Sequence, residues 1–190
     1  MVRVGILALQ GAFKEHSKMF EDLGVKSVEI RLPNEVPNID ALVIPGGEST
    51  TMAKLLDAYQ LRKPIQTFAA QGKPIWGTCA GLILMGTKIQ ENYPEPMGII
   101  DLFTIRNAYG RQINSFETDL EIPILGTKKF QGIFIRAPAI KEVGPQVEIL
   151  SKLPDGSPIA AQEKNCLVTS FHPELSSDTR FHSYFLSMAN

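Results

Sequence analysis

Cysteine is scarce in this sequence, two residues in 190. Two thiols, Cys79 and Cys166, cannot build a disulfide scaffold. No Cys-x-x-Cys or His-x-x-x-His pair occurs among the two cysteines and three histidines, so no zinc site, and no other metal or cofactor, is expected. An excess of charge is also missing. Nineteen basic and twenty acidic residues leave a formal net charge of -1, and no basic stripe with interleaved aromatics is present. That removes any global pull toward nucleic acid or an anionic membrane. There is no apolar run long enough to span a bilayer and no signal-peptide pattern, so a reduced, cytoplasmic setting is expected. Without repeats, low-complexity tracts or linkers, the 190 residues are read as one domain, 1–190, with enough interior for a full core.

What is present is a rhythm of short apolar runs and helical spacings. Residues 2–9 read as a buried first strand, broken at Gln10-Gly11. Phe13, His16, Met19, Phe20 and Leu23 then fall at helical spacing, with Gly24 where a C-terminal cap belongs. Strands are expected over 27–32 and 41–44. A helix carrying Met52, Leu55, Leu56 and Tyr59 on one face follows, with Ser49 to Thr51 as candidate N-caps. A further helix over about 61–71 leads to a strand ending at Thr78. Alternating buried strands and amphipathic helices predict an α/β fold, a mainly parallel sheet covered on both faces. Ligands of such sheets sit at the carboxyl ends of the strands, so the loops after Leu9, Ile44 and Thr78 are expected on one edge. After Lys88 the strands crowd together, over 99–105, 118–124, 130–135, 147–153, 159–161 and 166–171, and are read as antiparallel additions. A last helix from about Asp178 turns Phe181, Tyr184, Phe185 and Met188 inward.

The strand ending at Thr78 runs into Gly77-Thr78-Cys79-Ala80-Gly81 and then a second apolar run. This is the pattern of a nucleophile elbow, in which flanking glycines permit a sharp turn and the thiol stands at a helix N-terminus. A thiol so placed has a lowered pKa and is more reactive. The same pattern fits a small buried core cysteine, so its partners decide. Ninety-three residues on, a strand ends in His172-Pro173-Glu174. Proline stiffens the backbone there, and Glu174 can reach one ring nitrogen while the other faces the thiol: nucleophile, base and orienter. Pro45-Gly46-Gly47-Glu48-Ser49-Thr50 precedes a helix, and its backbone N–H groups can meet a developing oxyanion, with the N–H of Ala80 as second donor.

In this order the three pieces resemble the class I (triad) glutamine amidotransferase family, whose fold is three-layered and flavodoxin-like. The match sharpens in six blocks: Leu9-Gln10-Gly11-Ala12 with Glu15-His16, the loop 45–52, the elbow, Arg106-Asn107-x-Tyr109-Gly110-Arg111-Gln112, Phe134 to Pro138 and Ser170 to Leu175. These resemble one subfamily, the glutaminase subunits of pyridoxal 5′-phosphate synthase. The resemblance implies hydrolysis of L-glutamine to glutamate and ammonia, delivered to a separate synthase subunit of the TIM-barrel family. It also implies that Gly47, Glu48, Ser49, Arg106, Ile135 and Arg136 hold the glutamine, and that Gln10 lies near the oxyanion site. Chemistry agrees: an amino acid needs a cation for its carboxylate, Arg106 or Arg136, and an acceptor for its ammonium, Glu48 or a backbone carbonyl. A glutaminase of another pathway is disfavoured by the Gln10 and Arg106 blocks, and a non-catalytic module by the intact Cys79, His172 and Glu174.

Overall fold

The computed structural model describes residues 2–106 and 115–189. In chain order the elements are β1 (Val4–Leu7), α1 (Phe13–Asp22), β2 (Ser27–Ile30), β3 (Ala41–Ile44), α2 (Ser49–Ala58), α3 (Arg62–Ala70), β4 (Ile75–Thr78) and α4 (Ala80–Met85). There follow β5 (Lys88–Ile89), β6 (Leu102–Ile105), β7 (Ser115–Leu120), β8 (Phe130–Ile135), β9 (Ala139–Val143), β10 (Glu148–Lys152), β11 (Pro158–Glu163), β12 (Cys166–Thr169) and α5 (Arg180–Ser187). Among the described residues no helix is long and apolar enough to cross a membrane.

Seven strands form the central sheet in the order β10-β11-β12-β4-β3-β1-β2. From β2 to β12 all neighbours are parallel, and β11 and β10 add antiparallel at one edge. Side chains of a strand alternate between faces, and the two core clusters follow that period. Leu42 and Ile44 of β3, Ile75 of β4 and Val168 of β12 face one way, onto α2, α3 and α4. Ala41 and Val43, Trp76 and Leu167 face the other way, onto α1, α5 and the β7–β8 ribbon, where Phe20, Phe181, Phe185, Phe130 and Phe134 pack. The expected mostly parallel sheet with helices on both faces is what the chain forms.

Several details differ from the sequence reading. β12 is parallel to β4 rather than an antiparallel addition, with Thr169 opposite Thr78; this register brings the ends of those two strands together. The segments over 99–105 and 118–124 form strands only at Leu102–Ile105 and Ser115–Leu120, and Pro123 starts a short 3-10 turn. β9 was not foreseen, because Ala139-Ile140-Lys141-Glu142-Val143 places two charges in a five-residue run. The cap of α2 is Glu48, not Ser49, Thr50 or Thr51: its carboxylate accepts from the backbone N–H of Thr50 and Thr51. Tyr59 is the C-cap of α2 and 46% exposed, outside the inner face formed by Met52 and Leu56. Gly24 does follow the end of α1 with φ +74°, its N–H on the carbonyl of Glu21.

Candidate active site

The parallel run β1-β3-β4-β12 delivers four loops to one edge, those carrying Gln10, Gly46-Gly47, Cys79 and His172. They close around a cavity of about 330 Å³, which suits a small-molecule ligand.

Cys79 stands between β4 and α4 with φ +48° and ψ -100°. That combination lies outside the regions an L-residue prefers, and holding it costs about 1–3 kcal/mol. The surrounding structure supplies the constraint. The Cys79 N–H donates to the carbonyl of Thr169 at 2.8 Å, tying the elbow to the end of β12. The flanking glycines act differently from expectation: neither has positive φ, and the strained residue is Cys79 itself. A Cβ on Gly77 would stand 2.6 Å from the Gly81 carbonyl carbon, and one on Gly81 would meet the Ile44 backbone oxygen. Both positions are glycine because β4, α4 and β3 approach too closely for any side chain.

His172 is 7% exposed and Glu174 4%. The His172 N–H donates to the Ile133 carbonyl of β8 at 2.8 Å, so the ribbon as well as the sheet holds the residue. Its Nδ1 lies 2.7 Å from Glu174 Oε1. Burial resists charging the imidazole, but hydrogen bonds to the Cys79 and Glu174 side chains and the charges on both groups prevail and raise its pKa to about 10. A Cβ placed on Gly46 would strike the His172 ring and come within 3.4 Å of Cys79 Cβ, so this glycine leaves the space between nucleophile and base open.

The loops are bonded to one another. Gly46 O accepts from the Ala12 N–H at 2.9 Å, and Gln10 Oε1 accepts from the Glu48 N–H at 2.9 Å. Gln10 thus braces the glycine loop with its acceptor end. Glu48 caps α2 and also accepts from Arg106 Nη2 at 3.1 Å. Burial works against its ionisation, yet the Thr50 and Thr51 hydrogen bonds win and bring its pKa down to about 2. Arg106 further donates to the Tyr93 carbonyl at 3.3 Å. Arg136 lines the same cavity at φ +43°, is exposed, and among the described residues makes no ion pair.

The cavity wall therefore contains Gln10, Gly47, Glu48, Ser49, Cys79 and Ala80 from the first half of the chain, and Arg106, Ile135, Arg136 and His172 from the second. Glu174 stands behind His172. Every residue expected at the site is brought to it. The remainder of the Arg106 block, 107–112, lies outside the described residues. Ile83 and Leu175 also line the cavity and were not foreseen, being apolar positions in a helix and a turn. His182 was missed too. It is fully buried on α5, and its Nε2 lies 2.9 Å from Nδ1 of His16. Its place three residues before Phe185 put it on the inward face, which was the available signal.

The sequence model of the SNO glutamine amidotransferase family matches residues 6–190. The chain is 50% identical over 190 residues to a pyridoxal 5′-phosphate synthase subunit PdxT from Dehalococcoides mccartyi, covering 99% of this chain and 97% of that one. It is 51% identical over 188 residues to the protein of the same name from Herpetosiphon aurantiacus, covering 97% and 99%. A solved structure described as a glutamine amidotransferase superposes with a TM-score of 0.91 at 41% identity, covering 98% of each chain. The PurLQS structure from Thermotoga maritima shares the fold, with a TM-score of 0.77 at 14% identity and full coverage of both chains.

Proposed function

This chain belongs to the SNO glutamine amidotransferase family, and from that premise we propose that Cys79, His172 and Glu174 are the groups with which it hydrolyses L-glutamine. The product ammonia goes to pyridoxal 5′-phosphate synthesis, the role its half-identical relatives are named for. The observation that carries the residue assignment is the 2.7 Å contact of Glu174 with His172 beside Cys79 at the strained elbow.

The chemistry follows from the placement. Cys79 Sγ, as thiolate, attacks the side-chain amide carbon, and the carbonyl π electrons move onto oxygen. The N–H groups of Gly47 and Ala80 receive that oxyanion, each such donor being worth about 3–4 kcal/mol. His172, its imidazolium sustained by Glu174, protonates the amide nitrogen as the C–N bond breaks and ammonia leaves. His172 is then neutral and takes a proton from water. The resulting hydroxide attacks the thioester, releasing glutamate and restoring the thiolate–imidazolium pair.

Substrate is held by complementary charges. Arg106 is already paired with Glu48, and Arg136 makes no ion pair among the described residues, which supports it as the cation for the α-carboxylate, with Ile135 and Ser49 completing the wall. Glu48, ionised throughout the working pH range, faces the ammonium. The whole chain, 1–190, acts as one amidotransferase domain. Ammonia would be protonated in bulk water, which favours delivery to a docked synthase subunit of the TIM-barrel class over the strand ends. Ile135 and Leu175, 38% and 40% exposed at the cavity, offer apolar surface there. Two free thiols accord with a reducing, cytoplasmic setting.

The test is ammonia release from amide-labelled glutamine, with and without the synthase. Cys79→Ala should abolish release while the circular dichroism spectrum and melting curve persist; appreciable turnover by that variant would overturn the assignment.

A further inference from the structure

Behind the triad lies a buried pair of histidines that the mechanism above does not use. His16 of α1 and His182 of α5 are both fully buried, with His16 Nδ1 and His182 Nε2 2.9 Å apart. The other nitrogen of His16, Nε2, lies 3.3 Å from Thr78 Oγ1 and 3.4 Å from Glu174 Oε2. Glu174 uses Oε1 on His172; among the described residues its Oε2 is buried without a hydrogen bond, as is His182 Nδ1. Edge contacts fix the rings, with Trp76 at 5.3 Å from His16 and 4.9 Å from His182, and Phe20 at 5.0 Å from His182.

The charge of Glu174 favours one tautomer of the pair. A neutral imidazole carries a single N–H. If His16 donated from Nδ1, its Nε2 lone pair would face the Glu174 carboxylate, and His182 would carry its proton on the orphaned Nδ1. Both outcomes leave a buried polar group opposed or unpaired, which is unfavourable away from water. If His182 donates from Nε2, the opposition at Glu174 vanishes and the orphaned His182 Nδ1 is a bare lone pair rather than an N–H. His16 then accepts at Nδ1 and donates its Nε2–H to Thr78 Oγ1, with Glu174 Oε2 3.4 Å from the same nitrogen. A doubly protonated His16 is excluded by its surroundings: burial first, then the charges of His182 and His172, hold its pKa well below the usual value. Burial likewise holds His182 down at about 3. Among the described residues the titratable groups facing His16 are thus His182, His172 and Glu174, while Thr78 and Trp76 on β4 are uncharged.

We propose that His16 and His182 are positioning residues: a neutral imidazole pair whose Nε2–H, seated on Thr78 Oγ1, sets its partial positive charge 3.4 Å from Glu174 Oε2 and so keeps Oε1 aimed at His172. The pair's neutrality is the point. A cation at His16 would share the carboxylate and weaken its support of the His172 imidazolium. A neutral N–H orients Glu174 and leaves its charge to His172. This rests on the triad assignment, and Glu174→Ala tests that assignment separately.

The experiment combines three measurements on the full chain with its synthase. Imidazole 15N spectra of the wild type should show His16 and His182 both neutral and protonated at Nε2; a proton on His16 Nδ1 would overturn the proposal. His16→Leu should lower kcat about tenfold or more, leave KM for glutamine near wild type, and move the alkaline limb of kcat/KM to lower pH. His16→Gln, which keeps an N–H near the Nε2 position, should recover much of both. His182→Phe, which keeps the ring but not the donor, should act like His16→Leu and add little to it. A folded His16→Leu enzyme with wild-type kcat and an unmoved alkaline limb would refute the proposal, provided Glu174→Ala is impaired. If Glu174→Ala were itself unimpaired, the triad reading would be the one to fall.

Discussion

Arg106 Nη2 reaches Glu48 Oε1 at 3.1 Å, joining the segment after β6 to the cap of α2 at the cavity wall. Glu48 thereby combines two tasks, ending the exposed N–H groups of a helix and setting a negative charge at the site. The tasks can be separated by substitution. Glu48→Gln keeps an oxygen that can accept from Thr50 and Thr51, so stability should change little. It removes the charge, and KM for glutamine should rise several-fold with a smaller effect on kcat. Glu48→Ala removes the cap as well and should cost about 1 kcal/mol in urea unfolding. Equal KM values for Glu48→Gln and wild type would remove Glu48 from ammonium recognition.

The pH dependence of His172 has a definite sign. Its pKa is about 10 in the fold against about 6.5 in an unfolded chain. A raised basic pKa stabilises the fold in full below about 6.5; that contribution diminishes as pH rises and is gone above about 10. Activity that depends on the imidazolium should hold through neutral pH and fall on the alkaline side near 10. Glu174→Gln removes one charge that sustains the imidazolium, so both the stability loss and the alkaline limb should move to lower pH. Urea midpoints and kcat/KM, each measured from pH 6 to 11, report the two effects.

Much of this arrangement was legible in the sequence because its signals are local. Gly77 to Gly81, His172-Pro173-Glu174 and Gly46-Gly47 each sit where an apolar run stops, and a parallel sheet carries such stops to one edge. The strand direction of β12 was not legible, since a four-residue apolar run reads the same whichever neighbour it joins. Glu48 was hidden as a cap because Ser49 and Thr50 beside it are equally good cap formers. The role of Gly77 and Gly81 was misread for a related reason: close approach of three elements leaves no trace in a short motif, whereas a turn does. His16 was visible as an apolar-face residue and as part of the block that begins at Leu9, a pattern that does not separate a role at the site from core packing. Its partner His182 lies 166 positions away, and only tertiary packing brings the two rings together behind Glu174.

The two thiols should differ sharply toward alkylation. Cys79 lines the open cavity beside His172, whose imidazolium at neutral pH favours a thiolate as its neighbour. Cys166 is buried in β12, with its Sγ 3.8 Å from the Ile99 carbonyl, and burial together with the charge of Glu163 pushes its pKa up to about 11. One equivalent of iodoacetamide at neutral pH should therefore label Cys79 and stop ammonia release. Prior glutamine should slow the labelling, and peptide mass spectrometry should find Cys166 unmodified. Preferential labelling of Cys166 would contradict the elbow geometry.

Gly81→Ala tests whether the elbow depends on close approach. The new Cβ would meet the backbone oxygen of Ile44, with the Ile44 carbonyl carbon at 3.0 Å. Backbone in the middle of a parallel sheet cannot retreat as a flexible side chain can, so α4 must move off β3. Helix propensity runs the other way, since alanine is favoured over glycine by about 1 kcal/mol in a helix interior. Overpacking of a close-packed interior costs about 1–3 kcal/mol, and displacement of α4 also releases Cys79 from its strained conformation. The net expectation is a lower urea midpoint together with a kcat reduced well beyond what the stability loss explains, because the Ala80 N–H and the thiol shift relative to His172. A Gly81→Ala protein with wild-type kcat and equal or greater stability would show that α4 can be accommodated elsewhere, and that the glycine is not what holds the nucleophile in place.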